Sequence, residues 1–209
     1  MKTTKTNSYK NFFLITLLAL GVSFLVLINN SASANPKDAE KFISSLADEA
    51  VMILKNNNLT ENQAIDGFSA FISNGFDIKT IGRFALGPYW RSADNKQREK
   101  YISIFFSYIV QTYSERFRQY QISEIKVTGS RSINESETIV SSLLIRSDGL
   151  DIHLDWHVRF SNGEYKVVDV LFEGLRLGLS LRDQFSTIIR SGGGSLDTLI
   201  EELNNRKLR

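Results

Sequence analysis

The sequence predicts an α+β protein: helices first, then an antiparallel sheet, then closing helices. Three observations carry that prediction. Apolar residues recur at helical spacing through residues 36–119 and again from residue 181. Between them, residues 122–173 alternate apolar and polar side chains in four runs. Two of the junctions are Asp148-Gly149 and Asn162-Gly163, dipeptides that favour two-residue hairpins.

Taken in order, residues 1–34 stand apart from this fold. Lys2, Lys5 and Lys10 precede an uncharged apolar run over residues 12–28, and Ala32-Ser33-Ala34 follows. That order of basic, apolar and small-residue segments predicts a secretory signal peptide cleaved after Ala34. The run is also close to the shortest length that spans a membrane, so an uncleaved anchor is the alternative. Residues 35–209 then form a single domain. Loss of three Lys turns the net charge of +2 into −1, so the basic balance of the whole chain gives no argument for nucleic-acid binding. An exported chain without Cys needs no oxidative folding, which suits a bacterial periplasm.

Asn35-Pro36 predicts a helix start, with an N-cap residue before Pro at the first helical position. Phe42, Ile43, Leu46, Ala50, Ile53 and Leu54 continue it, and Asn56-Asn57-Asn58 ends it. Thr60 with Gln63 reads as a capping box for a second helix bearing Ala64, Ile65, Phe68, Phe71 and Ile72. Asp77 caps a short third helix that ends at Gly87-Pro88. From Ser92 to about residue 119 runs the longest helix, with Tyr101, Ile102, Phe105, Ile109, Tyr113, Phe117 and Tyr120 on its stripe. So aromatic a stripe must face something large and apolar.

The four expected strands are 122–129, 138–147, 150–160 and 164–173. In the third, Ile152, Leu154, Trp156, Val158 and Phe160 share one face, and Asp151, His153, Asp155, His157 and Arg159 share the other. One face is therefore buried and one wet. A four-stranded antiparallel curved sheet results. Leu181, Phe185, Ile188 and Ile189 mark the next helix; after Gly192-Gly193-Gly194, Ser195 caps the last.

The composition excludes several chemistries. With 42% hydrophobic and 23% charged residues the chain is globular. Without Cys there is no disulfide, thiolate nucleophile or Cys-ligated metal, and two His leave little for a metal centre. His153 and His157 would share a metal on a helix, but on a strand they stand roughly 13 Å apart. Asp151 and Asp155 meet the same objection as an acid–base pair. The Gly192–Gly194 run lacks the Lys-Ser/Thr of a phosphate loop and reads as a hinge. Ser180 and Ser186 sit in no nucleophile elbow. Asp169, inside the apolar strand, reads as a structural carboxylate that caps neighbouring backbone. We therefore assign no catalytic residue, metal or cofactor.

What remains is apolar surplus: a sheet with one apolar face, covered by helices rich in Phe, Tyr and Ile. A solid core accounts for it, and so does a ligand cavity. Three classes stay open at this level: a carrier, a cone-fold enzyme of the NTF2-like kind, and a solid structural or adaptor protein. The enzyme needs an acid or base on the apolar face, for which Asp169 and Tyr113 are the candidates.

Three segments resemble the MlaC family of periplasmic phospholipid-binding proteins, also called the toluene-tolerance family. Phe76-Asp77, Arg83-Phe84, Leu86-Gly87 and Trp90 are similar to F-D-x(5)-R-F-x-L-G-x-x-W. Tyr165-Lys166-Val167-Val168-Asp169-Val170 with Glu173-Gly174 is similar to W-K-V-x-D-V-x-x-E-G. Gly174 to Phe185, with Arg182, resembles G-V-S-L-x-x-N-Y-R-x-x-F, although Arg176 replaces Ser and Ser180-Leu181 replaces Asn-Tyr. The resemblance implies a soluble carrier of phospholipid between an inner-membrane ABC transporter and MCE complex and an outer-membrane lipoprotein complex, maintaining outer-membrane lipid asymmetry.

On that reading we expect the pocket wall to draw Leu143, Ile145, Leu154, Trp156, Val168 and Val170 from the sheet. Trp90, Phe105, Ile109, Tyr113, Phe185 and Ile189 come from the helices. Arg83, Arg91 and Arg182 flank these elements and are the candidate headgroup rim, with structural ion pairing as their alternative role.

Overall fold

The computed structural model describes residues 34–56, 58–119, 122–146 and 148–206. The expected signal peptide, Asn57, Tyr120 and Ser147 lie outside the described residues, apart from Ala34, and so does the side chain of Phe117.

Helix α1 spans Pro36–Lys55, and Asn35 caps it by accepting from the Lys37 N–H. Its buried stripe is Ala39, Ile43, Leu46, Ala47 and Ala50. Helix α2 covers Glu61–Gly75 behind a complete Thr60/Gln63 capping box. A Cβ on Gly75 would sit 2.5 Å from the Leu46 side chain, so glycine there lets α1 and α2 close together. Asp77 accepts from the Thr80 N–H and opens α3, Ile78–Leu86. A short α4 takes up Tyr89–Ser92.

The long helix α5 spans Asn95–Gln119, later than the expected start at Ser92. The reason is a second reciprocal cap. Asp94 Oδ1 accepts from the Gln97 N–H at 2.8 Å, and Gln97 Oε1 accepts from the Asp94 N–H at 3.2 Å.

Five antiparallel strands follow in sequence order: β1 Ile122–Ser132, β2 Glu137–Arg146, β3 Ile152–Ser161, β4 Glu164–Phe172 and β5 Leu175–Arg176. The two-residue β5 goes beyond the four strands expected. Its turn, Glu173-Gly174, has φ of +50° and +76°, as Asn162-Gly163 has +54° and +83°. Both residues of each turn thus occupy the left-handed region that tight hairpins require. Glu is costly there, and its carboxylate is anchored by the His153 N–H at 2.7 Å.

Register decides the inner face. β3 presents Ile152, Leu154, Trp156 and Val158 inward, as expected. Opposite them, β2 turns Val140, Ser142 and Leu144 inward, with Val140 across from Trp156 and Ser142 across from Leu154. Leu143 and Ile145 therefore occupy the other face. Ser142 is tolerated inside because its hydroxyl donates to the Leu154 carbonyl and accepts from the Trp156 indole N–H, each at 3.0 Å. In β4 a bulge between His157 and Val158 of the partner leaves Val168 as the extra residue. Val167 and Val170 both follow the inward register across it.

α1 lies across the inner side of β1 and β2, where Ser130 donates to Glu40 at 2.7 Å. Residues 76–77 add to the edge of β4, through the Asp77 N–H to Val167 O at 2.9 Å. On the outer face Glu137 accepts from Arg159 Nε at 2.9 Å and lies 3.1 Å from His157 Nε2. Helices α6, Leu177–Ser191, and α7, Leu196–Arg206, close the chain. The glycine run between them is a hydrogen-bonded cap. Gly193 and Gly194 have φ of +73° and +87°, and a Cβ on Gly192 would meet Thr198 at 2.4 Å.

Candidate functional site

An apolar cavity of about 350 Å³ lies between the sheet and the helices. The sheet supplies Leu144, Leu154, Trp156, Val170 and Phe172. Helix α2 supplies Phe68, Phe71 and Ile72, and the residues after it supply Phe76, Ile78 and Ile81. Ile109 and Tyr113 of α5 close one side. Leu175, Leu177 and Ser180 stand at the far end, where Leu175 is 71% exposed and marks the contact with solvent. Ring contacts run along one wall, from Phe68 to Phe71 (5.7 Å), Phe71 to Phe76 (5.5 Å) and Phe76 to Trp156 (6.4 Å).

Asp169 reaches this wall and is 6% exposed. The bulge at Val168 aims it at the start of α6. There it accepts from the Val170 and Gly178 N–H groups at 2.9 and 3.1 Å and from Arg176 Nε at 2.7 Å. It is thus a structural cap, as its sequence position suggests, and it also covers the motif position at which Arg176 stands for Ser. Among the described residues no group of three or more His or acidic side chains is placed to hold a metal ion.

Ile109, Tyr113, Leu154, Trp156 and Val170 are brought together on the cavity wall. The other residues expected there lie elsewhere. Phe105, Phe185 and Ile189 are fully buried in a solid cluster of the same core, away from the cavity wall. In it Phe185 meets Tyr101, Phe105 and Tyr108 edge-on at 6.1–6.4 Å. That cluster is locked to α3 by the Tyr101 hydroxyl, which donates to Gly82 O at 3.0 Å, and burial pushes the phenol pKa well up. Leu143 and Ile145 are on the opposite sheet face, and Val168 is the bulge residue. Trp90 lies under the Arg98 guanidinium, 5.4 Å from its ring centroid.

The three arginines expected at a rim are not on the wall. Arg83 and Arg91 are exposed, on α3 and α4. Arg182 donates from Nε to the Phe84 carbonyl at 2.9 Å and lies 3.9 Å over the Phe84 ring, tying α6 to the end of α3. The first motif therefore sets helix geometry: Asp77 caps, Phe84 seats Arg182, Leu86 is core, and Gly87 turns at φ +59°. The wall residues missed from sequence, Phe68, Phe71 and Phe76, had a visible signal. Their aromatic spacing runs straight into the edge pairing at Phe76.

Helices folded over one face of an open antiparallel sheet, around an apolar chamber, define a cavity-bearing α+β protein. The comparisons narrow that class. The model of the MlaC protein family matches residues 44–205, and the chain belongs to that family. It is 22% identical to the intermembrane phospholipid transport system binding protein MlaC of Haemophilus influenzae, over 93% of this chain and 92% of that protein. A toluene tolerance protein of Pseudomonas putida is 24% identical over 54% of this chain and 53% of its own. Among solved structures, a phospholipid-binding protein from Ralstonia solanacearum in complex with a phospholipid has the same fold. Its TM-score is 0.71 at 20% identity, covering 81% of this chain and 97% of that one. No helix among the described residues is long and apolar enough to cross a membrane.

Proposed function

We infer that this protein is a lipid-binding shuttle, which holds the acyl chains of a phospholipid in the apolar cavity and carries it through water between membranes. The observation that carries this reading is the cavity itself, an aromatic-walled space of about 350 Å³ inside a folded unit. Such a space is within the range of ligand sites. Two ordinary acyl chains hold about 30 methylenes, and at roughly 0.8 kcal/mol each they do not cross water uncovered. The names of the Haemophilus relative and of the Ralstonia neighbour support the same ligand class.

The role needs binding and release and no chemical step, so we read the protein as a carrier and not an enzyme. We propose export to the periplasm with cleavage after Ala34, supported by the order of segments in residues 1–34. The proposed partners follow from the family resemblance: an inner-membrane ABC transporter and MCE complex, and an outer-membrane lipoprotein complex.

Mass spectrometry of an organic extract of the purified protein tests the central claim. Phospholipid in molar proportion to protein is expected. Protein that carries no lipid, and takes none from vesicles, would overturn it. N-terminal sequencing of the exported chain should begin at Asn35; an intact segment in the membrane fraction would favour the anchor.

A further inference from the structure

A second chamber, of about 410 Å³, adjoins the apolar cavity, and Tyr113 and Ser180 belong to both walls. Its other lining is of a different kind: Tyr108 and Thr112 from α5, Gln184 from α6, and Arg206 from the last turn of α7, with Leu181 as its apolar contribution. Hydroxyl, amide and guanidinium groups thus converge from three helices. The single charged side chain in the lining is a cation, and no carboxylate belongs to it.

We propose that this chamber receives the phosphate of an amphiphile whose apolar tail occupies the neighbouring cavity, with Arg206 as its principal partner. The proposal rests on the acyl-chain reading of that cavity. Tyr113 and Ser180 stand between the two chambers, with hydrocarbon walls on one side and hydrogen-bond donors on the other. A phosphodiester must stay in water or meet hydrogen-bond partners, and this chamber supplies such partners beside the tail cavity.

Arg206 is prepared for this role. Its Nε donates to Glu202 Oε1, one turn back on α7, at 2.9 Å. That bond occupies Nε, and a hydrogen bond with Tyr108, itself in the lining, orients the guanidinium; the remaining Nη N–H groups are the donors left for phosphate oxygens. Glu202 and Tyr108 raise its already high pKa, and it stays charged at any physiological pH. Its side chain is 42% exposed, as a site that admits and releases a headgroup requires.

The experiment compares two soluble amphiphiles with equal tails, dioctanoyl phosphatidylglycerol and dioctanoylglycerol, binding to protein stripped of copurified lipid. In the unaltered protein both bind, and the phosphate-bearing one binds more tightly. Arg206→Gln should weaken the phospholipid about tenfold or more, the loss of a charge-assisted hydrogen bond, and leave dioctanoylglycerol unchanged. Thr112→Val should shift the same preference in the same direction, without touching the Arg206–Glu202 pair. Arg131→Gln, an equal change of charge at an exposed site on β1, should shift neither. Equal loss for both amphiphiles, or no loss with either chamber variant, would overturn the proposal. If neither amphiphile binds the unaltered protein, the acyl-chain reading itself fails. With Arg206 selectivity in hand, inorganic phosphate separates the sources. Competition against the phospholipid alone would make the free ion a second occupant, and its absence would restrict the chamber to phosphate carried on a tail.

Discussion

The Nε of Arg176 donates to Asp169 Oδ2 at 2.7 Å across the tight turn between β4 and β5. Since Asp169 also accepts the Gly178 N–H, one carboxylate joins the bulged strand, the edge strand and the first turn of α6. This is the corner at which the apolar cavity meets solvent. Asp169→Ala should therefore cost about 2–3 kcal/mol, read as a shift in the urea midpoint. Arg176→Ser takes the charge partner from buried Asp169 but leaves the carboxylate its Val170 and Gly178 N–H donors, so it should cost less. Equal losses would place the energy in the ion pair and not in the capped backbone.

The register of β2 gives a sharp test of the cavity. A carboxylate at an inward position meets hydrocarbon, and one at the next residue meets water. Leu144→Asp, Leu154→Asp and Ile109→Asp should abolish retention of copurified lipid in protein that circular dichroism shows to be folded. Leu143→Asp should retain it. Retention by folded Leu154→Asp and Ile109→Asp proteins would move the ligand out of this cavity.

The buried Trp156–Ser142 pair should behave as a unit. Ser142→Ala strands the indole N–H and should cost about 1–3 kcal/mol. Trp156→Phe removes the donor, so Ser142→Ala measured in that background should cost clearly less. A double-mutant cycle by chemical denaturation gives the coupling, and strict additivity would mean that the hydrogen bond contributes nothing.

Glu137 predicts a pH dependence on the outer face. Burial raises its pKa, but the hydrogen bonds and charges of Arg159 and His157 outweigh it and hold the carboxyl below 4.5. A group whose folded pKa is depressed stabilises the fold above the unfolded pKa and ceases to do so as pH falls through the folded value. The unaltered protein should therefore exceed Glu137→Gln in stability at neutral pH. That margin should shrink once the pH falls below 4.5. A margin constant between pH 7 and pH 3 would show that ionisation of Glu137 plays no part.

Much of the fold was legible because local chemistry and tertiary structure agree. Asn35, Thr60 and Asp77 cap helices where the sequence places caps, and β3 alternates cleanly because its two faces meet different surroundings. β2 misled, since Leu143 and Ile145 look more apolar than Ser142. The inward position of Ser142 is decided by an indole N–H on the next strand, which no periodicity reveals. Val168 escaped for a similar reason, as a bulge is a pairing event between two strands. Glu173-Gly174 is visible in the sequence as a motif, but its hairpin geometry depends on an acceptor role toward His153. Within the site, the distinction between wall and solid core was invisible. Phe105 and Ile109 share one helical stripe, and only packing of Phe185 against the former fills its space.

Asn35 and Tyr165 touch twice, the hydroxyl accepting from the Asn35 N–H at 2.9 Å and donating to the Asn35 carbonyl at 3.3 Å, across 130 positions of sequence. The partner of Glu40 on β1 lies 90 positions downstream. Helix α1, made before the sheet it covers, is thus among the last elements to find its seat. Its stripe from Ala39 to Ala50 stays uncovered on the sheet side until the β-meander has been made. Closing a loop that long is slow relative to forming hairpins between neighbouring strands. In that interval the newborn chain presents an amphipathic helix whose sheet-facing stripe has no partner.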